Sequence, residues 1–465
     1  MHLEALTFGL PTMNVAARLI GFLSLCFLLL ADQIEISSYE ESQQESQSSA
    51  NVIGRIDERT SALHFFKESI HELSSRDDLA VRGRARQDYL HDVVFVIQQR
   101  NMDELTRILD DISNPLSPNY GHHLSNRKIA DMTSNVEGRD AVIEQLDAHG
   151  AVVISETLHG DYITARAPIS VWEKMFNTQF YRFHQMQHTG AIDELIRAKE
   201  YSIPVELRDH VESVFNTIQM PLIVHGHLPV PHLMDMPEGT NIHTDAYSLP
   251  GFTTPAKIKA YYNIGTTVGS ASSTQGVFST IGQYFSPADL SYFQKYMGLP
   301  NQPVANSLGG YSSDTECAKD TSVCSEGNLD VQYIMAVSPE SPTTYWYTNL
   351  IFSDWMVSVA NTANPPLVFS ISYGSEESTL SKSELTAFNT QIIKLSAQGI
   401  TFFAAAGDDG ALSRYVRTKG SSSCGYAPLF PASNPYVVSV GATSVSVNSV
   451  LQTKLKYLSN LYYRV

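Results

Sequence analysis

The sequence predicts two structured regions in succession, an α+β domain and then an α/β domain built on a parallel sheet. Up to about Met220, short strands and amphipathic helices follow one another in mixed order. From Phe252 onward, continuous apolar runs alternate with helical segments, which is typical of parallel strands covered by helices on both faces. A chain of 465 residues with 43% hydrophobic residues has enough material for two or three domains with sizeable cores.

The elements of the first region are predicted from apolar spacing of period two or about 3.6. In chain order they are a strand at 91–97, helices at 102–112 and 136–149, strands at 152–157 and 161–165, a helix at 172–176 and a strand at 180–185. Gly150 is placed to end the second helix as a C-cap, and His159-Gly160 provides the turn between two strands. The order β-α-α-β-β-α-β predicts a small, ferredoxin-like α+β sandwich.

The second region is predicted from its apolar runs. Strands are expected at 276–282, 367–373, 400–406 and 436–440, with a helix at 381–397. Ser286 is placed to cap a further helix that has Pro287 at its first position. Two of the strands end in polar segments, Ser372-Tyr373-Gly374 and Gly407-Asp408-Asp409-Gly410. Because ligand sites of open α/β sheets gather at the carboxyl ends of strands, we expect both segments at one site.

The N-terminal residues have the pattern of a secretory signal. Arg18 precedes an apolar run from Leu19 to Leu30, and the small residue Ala31 follows it. A membrane-spanning helix needs about 20 apolar residues, so we expect no stable membrane span. We expect secretion or delivery to an endolysosomal or vacuolar compartment through this signal peptide.

Composition divides the chain into six segments. We expect a signal peptide at 1–31, a flexible Ser/Gln/Glu-rich spacer at 32–60, the α+β domain at 61–220, a Pro/His-rich linker with a processing site at 221–250, the α/β domain at 251–449 and an aberrant tail at 450–465.

The formal net charge of −17 limits the class of partner. No basic footprint offsets phosphate repulsion, so nucleic acid is excluded as a partner. The acidic balance suits a protein that works in acid, where many carboxylates are neutral. A solvated acidic surface explains the charge equally well.

The cysteines predict one disulfide. Of the four cysteines, Cys26 is removed with the signal, which leaves Cys317, Cys324 and Cys424. Cys317 and Cys324 are close in sequence and are expected in an oxidising compartment, so we expect them to pair. A loop this short would contribute on the order of 2–3 kcal/mol by chain entropy. Cys424 then remains as an odd cysteine.

The carboxylates Glu326 and Asp330 are candidate catalytic residues. They are four residues apart, so a helix places them on one face. Like charges side by side disfavour double ionisation and raise one carboxyl pKa. Such a pair can deprotonate a serine hydroxyl without a histidine. The alternative is an exposed pair of helical acids.

Asp408 is a second candidate, because it follows the apolar strand that ends at Ala406 and lies between Gly407 and Gly410. A carboxylic acid kept protonated in a poorly solvated site can donate a hydrogen bond to an oxyanion. The alternative is an ordinary turn aspartate after a buried strand.

Taken together, these motifs resemble the sedolisin family of serine-carboxyl peptidases, which includes tripeptidyl peptidases. The resemblance rests on Glu326-x-x-x-Asp330 within Leu329-Asp330-Val331-Gln332-Tyr333, Ser370-x-Ser372-Tyr373-Gly374 with Glu376, Gly407-Asp408, the segment 430–437 and Val440-Gly441-Ala442-Thr443. Upstream, the segments 99–105, 112–121 and 123–125 are similar to the family's activation domain. The match covers about 92–447, and the combination of motifs is more specific than any one of them.

The resemblance implies a subtilisin-like catalytic fold with a Ser-Glu-Asp triad, preceded by an inhibitory prodomain at 61–220. Glu326 would be the general base, Asp330 its orienting partner and Asp408 the oxyanion donor, while Ser372, Tyr373 and Gly374 would bind substrate. Members cleave peptides in acid as tripeptidyl peptidases or endopeptidases. The family also binds calcium, and we expect that site, like any other metal site, to be absent from this chain.

The sequence departs from the family at the nucleophile, which the family carries in a Ser-Gly-Thr-Ser segment. We expect no nucleophilic serine in this chain: Ser444 lies in an alternating, strand-like run rather than at the start of a buried helix. We therefore expect a proenzyme whose 465-residue form is inactive. The alternative is a catalytically dead secreted protein that binds peptides or inhibits relatives. A subtilisin with a histidine base is a poorer alternative, since no His-Gly-Thr motif occurs.

Overall fold

The structure, a computed structural model, describes residues 63–70, 79–185, 194–220, 253–266, 268–348, 352–410 and 427–442. The predicted signal peptide, spacer, linker and tail lie outside the described residues, as do Cys424 and Ser444. None of the helices in the described ranges is long and apolar enough to cross a membrane.

The region up to Met220 contains both strands and helices. The strands are β1 His64–Ser69, β2 Leu79–Arg84, β3 Leu90–Ile97, β4 Val152–Glu156, β5 Tyr162–Pro168, β6 Phe180–Gln185, β7 Leu195–Ala198, β8 Glu200–Pro204 and β9 Val211–Phe215. The helices are α1 Met102–Ser113, α2 Asn126–Thr133, α3 Val136–His149 and α4 Ile169–Met175, with a 3-10 turn at Val205–Leu207.

The main sheet of this region has the strand order β4-β5-β3-β9, and its neighbours are antiparallel. Numbered along the chain, these four strands run 2-3-1-4, which is the order of a ferredoxin-like sheet. Smaller antiparallel sheets, β1-β8 and β2-β6-β7, accompany it.

The sequence did not predict β1, β2, β7, β8, β9 or α2. These elements have four to eight residues, too few for a periodic pattern to stand out.

The second region is an α/β arrangement. Its strands are β10 Gln275–Ser279, β11 Asn306–Leu308, β12 Thr343–Tyr347, β13 Val368–Ile371, β14 Ser375–Glu376, β15 Thr401–Ala405, β16 Leu429–Phe430 and β17 Val438–Val440. Its helices are α5 Pro255–Tyr261, α6 Pro287–Tyr296, α7 Asp314–Lys319, α8 Ser325–Val337, α9 Phe352–Ala360 and α10 Lys382–Ala397, with 3-10 turns at Thr321–Cys324 and Glu377–Thr379.

Six of these strands form one sheet in the order β11-β12-β10-β13-β15-β17, and every described neighbouring pair is parallel. The predicted parallel α/β sheet is therefore confirmed, as is the cap of α6, where Ser286 accepts a hydrogen bond from the Asp289 amide. The strand β12 and the helix α9 were not predicted. The strand β13 ends at Ile371, two residues before the predicted end, so Ser372 and Tyr373 belong to the segment that follows it.

One strand begins later than predicted because an asparagine directs the backbone into a turn. The Asn434 side chain accepts a hydrogen bond from the Tyr436 amide at 2.8 Å, and the Asn434 carbonyl accepts one from Val437 at 3.2 Å. The strand β17 therefore starts at Val438 rather than at Tyr436.

Helix α10 packs between the two regions. Phe388 and Ile392 join the core beneath the parallel sheet, whereas Ala387 contacts the face of the antiparallel sheet near Val94 and Phe215. Near its C-terminal end, Ile393 and Ala397 pack against α1 and α2 in a cluster with Leu105, Leu109, Ile112 and Ile129. The helix is thus buried on both sides.

Polar contacts complete the interface on α10. At its N-terminus, the Glu68 carboxylate accepts hydrogen bonds from the Ser383 amide at 2.8 Å and from the Ser383 hydroxyl at 2.5 Å. Towards its C-terminus, the Lys394 ammonium group forms a buried ion pair with Asp161 and donates to the Gln99 side chain at 2.9 Å. A strand of the N-terminal region therefore supplies a carboxylate to the Ser383 amide, which lies in the first turn of α10 and has no acceptor within the helix.

Three buried ionisable groups make this interface and the N-terminal core sensitive to pH. Burial raises the pKa of Glu212 to about 7, although Lys67 and Lys394 oppose the shift. Burial also raises the pKa of Glu384 to about 7, against hydrogen bonds from Ser381. In the N-terminal core, burial and the nearby Arg197 lower the pKa of His91 to about 4.

Lys394→Met should destabilise the chain by about 3–5 kcal/mol, because it leaves the Asp161 carboxylate buried without its partner. The measurement is urea unfolding of the 465-residue chain at pH 7. Lys382→Met, at an exposed position of the same helix, is the matched control and should change stability little. Equal effects of the two substitutions would contradict the buried ion pair.

Candidate active site

The disulfide between Cys317 and Cys324 fixes the chain just ahead of Glu326. It joins α7 to the 3-10 turn that leads directly into α8, and its two Cα atoms are 5.5 Å apart. Both cysteines are buried. Because α8 begins at Ser325, Glu326 lies in its first turn and Asp330 one turn later, so the two carboxyl groups share a face as predicted.

The loop after β10 holds the start of α8. The Gln283 side chain accepts a hydrogen bond from the Glu326 amide at 3.2 Å and donates to the Ser322 carbonyl at 3.1 Å. It therefore satisfies one of the amides that a helix N-terminus leaves without an intrahelical partner.

Gly327 allows α8 to approach this loop closely. A Cβ atom at this position would collide with the Tyr284 carbonyl oxygen and would lie 2.7 Å from the Tyr345 hydroxyl. A side chain here would push α8 away from the strand ends, and the carboxyl groups of Glu326 and Asp330 would move with it.

The acid pair is half-buried rather than exposed. Asp330 Oδ1 accepts a hydrogen bond from the Ser372 hydroxyl at 2.7 Å. Burial raises the pKa of Asp330 well above its usual range, and the Glu326 charge adds to the shift. Burial also raises the pKa of Glu326, with a contribution from the Asp408 charge. The described geometry therefore does not match the alternative of an exposed helical pair.

Asp408 is a neighbour of Glu326 at the end of a parallel strand. It follows β15 and Gly407, whose φ of +87° is a conformation that favours glycine. Its charge contributes to the pKa of Glu326, so the two carboxyl groups are neighbours. Asp408 itself is exposed in the structure, which differs from the poorly solvated environment that the sequence led us to expect.

The segment Ser372-Tyr373-Gly374 continues from β13 along the same site. Gly374 and Gly407 both approach the Leu429 side chain: a Cβ atom on Gly374 would lie 2.7 Å from Leu429 Cδ2, and one on Gly407 would lie 3.0 Å from it. Leu429 thus fills the space between the two strand ends, and its strand β16 pairs with β14. Gly374 and Gly407 can both lie this close to Leu429 because neither residue has a side chain that would displace it.

The structure brings together Glu326, Asp330, Ser372 and Asp408, which come from three separate segments of the chain. Sequence reasoning missed the residues that position them, namely Gln283, Gly327 and Leu429. The sequence signal that could have pointed to this region was the predicted end of β10, because neighbouring parallel strands present their carboxyl ends at one edge of a sheet.

No cluster of three or more carboxylate, histidine or cysteine side chains in the described ranges is arranged to hold a metal ion. No chemical step is assigned to calcium.

Comparison with known proteins gives consistent matches. A family model described as "Pro-kumamolisin, activation domain" matches residues 77–220. Physarolisin of Physarum polycephalum is 30% identical over 390 residues, which cover 80% of this chain and 63% of that protein. Tripeptidyl-peptidase 1 of Macaca fascicularis is 28% identical over 375 residues, covering 78% and 63%. The chain thus spans about 63% of the length of these curated relatives.

A solved structure, Pseudomonas sedolisin (serine-carboxyl proteinase) complexed with two molecules of pseudo-iodotyrostatin, also matches. It is 23% identical with a TM-score of 0.33, covering 42% of this chain and 55% of that one. A structural similarity this low carries no argument about the site.

The acid pair should make the chain less stable as pH rises. A carboxyl whose pKa is raised by folding contributes stability that is present below its unfolded pKa and lost as pH rises through its folded pKa. The double variant Glu326→Gln/Asp330→Asn should therefore show a shallower fall in the free energy of unfolding above about pH 4.5. The measurement is urea unfolding at a series of pH values. The exposed pair Glu104→Gln/Asp131→Asn is the control, and identical pH profiles for all three proteins would contradict the raised pKa values.

Gly327→Ala should destabilise the chain by about 1–3 kcal/mol, because the added methyl group collides with the Tyr284 backbone. Thermal unfolding measures the effect. Leu329→Ala, at a position of α8 that is 50% exposed, is the matched control and should cost less. A stabilised Gly327→Ala variant, as expected for glycine replaced in an open helix, would show that α8 does not pack this closely.

Proposed function

Since the chain belongs to the sedolisin family, we propose that it is the proenzyme of an acid serine-carboxyl peptidase that hydrolyses peptide bonds. Its substrates would be peptides or proteins, cleaved either as tripeptides or at internal bonds. The observation that carries the proposal is the half-buried carboxyl pair of Glu326 and Asp330, bonded to Ser372 and next to Asp408.

In this mechanism Glu326 is the general base and Asp330 its orienting partner. Burial raises the pKa of both carboxyl groups, so the pair holds its protons to higher pH than exposed carboxyl groups do. A carboxylate with a raised pKa is a better acceptor for a serine proton than an ordinary one. Asp408, when protonated, would donate a hydrogen bond to the oxyanion that forms as the peptide carbonyl is attacked.

The nucleophilic serine is proposed to lie outside the described residues. The Ser372 hydroxyl contacts the pair: it donates to Asp330 at 2.7 Å and also lies within hydrogen-bond reach of the proposed base Glu326. We assign Ser372, with Tyr373 and Gly374, to the substrate-binding edge of the sheet. Inactivity of the 465-residue chain remains a prediction.

The N-terminal region is proposed to be an intramolecular inhibitor that is later removed. The activation-domain match at 77–220 supports this role. The interface between α10 and the N-terminal region also supports this role, because α10 connects the segment that holds Ser372 to the strand that precedes Asp408. The outer face of α10 also carries buried polar side chains, Gln391 and Lys394, beside its apolar contacts, and these two would be compatible with water after separation. Export through the signal peptide and cleavage within 221–250 belong to the same proposal.

The test is to compare the 465-residue chain with a chimera that continues into the C-terminal segment of Physarolisin. We expect no peptide hydrolysis by the shorter protein from pH 3 to 7 and acid-dependent hydrolysis by the chimera. In the chimera, Glu326→Ala should lower kcat by about 10²–10⁴ as loss of a general base. Asp408→Ala should lower it by about 10²–10³ as loss of an oxyanion donor. Glu104→Ala, at an exposed position, is the control.

Two results would overturn this assignment. Hydrolysis by the 465-residue chain that is lost in Ser372→Ala or Ser444→Ala would place the nucleophile at that residue instead. A folded chimera that binds peptides without cleaving them would favour the catalytically dead binding or inhibitory protein.

A further inference from the structure

The first described strand belongs to the N-terminal region but lies ahead of the part that the family model matches. The strand β1 spans His64–Ser69, whereas the activation-domain match begins at residue 77. It pairs with β8, and the Lys67 ammonium group donates to the Val211 and Glu212 carbonyls of β9 at 2.6 and 3.2 Å. The N-terminal region therefore holds β1 through two of its own strands.

The strand β1 directs a carboxylate at helix α10. Its register with β8 shifts between Phe66 and Glu68, and such a bulge re-aims the side chains of the strand that contains it. The Glu68 carboxylate is buried, and each of its oxygens accepts one hydrogen bond from Ser383: one from the amide at 2.8 Å and one from the hydroxyl at 2.5 Å. Both oxygens of one acidic residue thus bind a single residue of the α/β region.

The start of α10 also has a cap of its own. Ser381 accepts a hydrogen bond from the Glu384 amide, and the Glu384 carboxylate accepts one from the Ser381 amide at 3.0 Å. This capping box leaves the Ser383 amide without an acceptor in the helix. Glu68 therefore does not substitute for a missing cap but binds the amide that remains, at the positive end of the helix dipole.

The charged and titratable groups around Glu68 come from four elements. Lys67 is its neighbour in β1, and Tyr201 of β8 and Glu384 of α10 lie close enough for the Glu68 charge to act on their pKa values. Burial raises the pKa of Glu384 to about 7, and Arg197 of β7 opposes the shift. In mild acid Glu384 is therefore neutral and does not repel the Glu68 carboxylate.

The N-terminal region contacts the opposite end of α10 as well. The Leu124 amide donates to the Ala397 carbonyl at 2.8 Å. The His123 ring lies against Gly399, where a Cβ atom would be 2.8 Å from the ring. The 16 residues of α10 make a helix about 24 Å long. A carboxylate at its N-terminal end and an N–H donor at its C-terminal end match the helix dipole, so the N-terminal region binds α10 at both ends.

We propose that β1 is a latch: Glu68 retains the N-terminal region on α10 after the linker has been cut and sets the rate at which the region leaves. This deepens the proposed function, because it rests on the N-terminal region being an inhibitor that is later removed. Hydrogen bonds to a charged group are roughly twice as strong as neutral ones, so the contact with Ser383 outweighs the neutral bond at Leu124. It breaks only when β1 itself moves away from α10.

The test uses the 465-residue chain with a recognition sequence for a sequence-specific protease placed within 221–250. The chain is folded whole, attached to a surface through its C-terminal end and then cut, and release of the labelled N-terminal fragment is followed at pH 6. Glu68→Ala should speed release by about 10- to 100-fold, because hydrogen bonds to a charged group are lost. An unchanged release rate would overturn the proposal.

The matched control is Glu173→Ala. The Glu173 carboxylate also accepts two side-chain hydrogen bonds, from Arg84 at 2.7 Å and from Gln87 at 2.9 Å. Its helix α4 packs on Phe95, whereas α10 packs near Val94 on the other face of the sheet. This substitution should leave the release rate unchanged. Equal acceleration by both substitutions would show that release follows general stability, and the latch would be rejected.

Three further variants test the bond itself. Ser383→Ala removes one donor and keeps the amide, so it should speed release less than Glu68→Ala does. The double variant Glu68→Ala/Ser383→Ala should release no faster than Glu68→Ala, since the hydroxyl then has no carboxylate to bind. Single effects that multiply in the double variant would contradict the contact. Glu68→Gln keeps the size of the side chain, provides the test if Glu68→Ala does not fold, and should also release faster than the unsubstituted chain.

Release is measured without peptide hydrolysis, so the two proposals fail separately. A chimera that hydrolyses peptides, with release that does not respond to Glu68, would reject the latch and leave the peptidase proposal in place. An inactive chimera whose release still responds to Glu68 would reject the peptidase proposal alone. In an active chimera cut in the same linker, Glu68→Ala should shorten the lag before hydrolysis by the same factor as it speeds release.

Discussion

The packing of helix α10 between two sheets is the contact that holds the N-terminal region and the α/β region together. Phe388 and Ile392 face the core under the parallel sheet, and Ala387 faces the antiparallel sheet of the N-terminal region. The buried pair of Lys394 and Asp161 lies in the same interface. Such a pair adds little net stability by itself, but it penalises any arrangement that separates the partners without admitting water. It therefore selects one way for the two regions to pack.

The sequence alone predicted those features that depend on a long apolar pattern or on a local motif. The parallel sheet followed from apolar runs such as the one at Phe402, and the cap of α6 followed from Ser286 and Pro287. The shared face of Glu326 and Asp330 followed from their spacing alone. These features depend on neighbours within one or two turns, so no knowledge of the tertiary contacts was needed.

The remaining features depend on contacts between distant segments. Nothing in the local sequence indicates that Gly327 must pass the Tyr284 backbone, or that Leu429 fills the space beside Gly374. The short strands around Glu200 and Val211 are set by pairing with β1 and β3, respectively, rather than by their own periodicity. Asp408 was expected in a poorly solvated site and is exposed, because solvation is a property of the surrounding surface and not of the strand that leads to the residue.

The raised pKa values of Glu212 and Glu384, about 7 in each case, make association of the two regions a proton-consuming process. Groups that bind protons more tightly when buried favour the associated form in acid and weaken it as pH rises towards neutrality. Acidification therefore does not loosen these two contacts but tightens them. If the N-terminal region is the inhibitor proposed above, these two groups oppose its release in acid, so at these contacts a fall in pH works against separation.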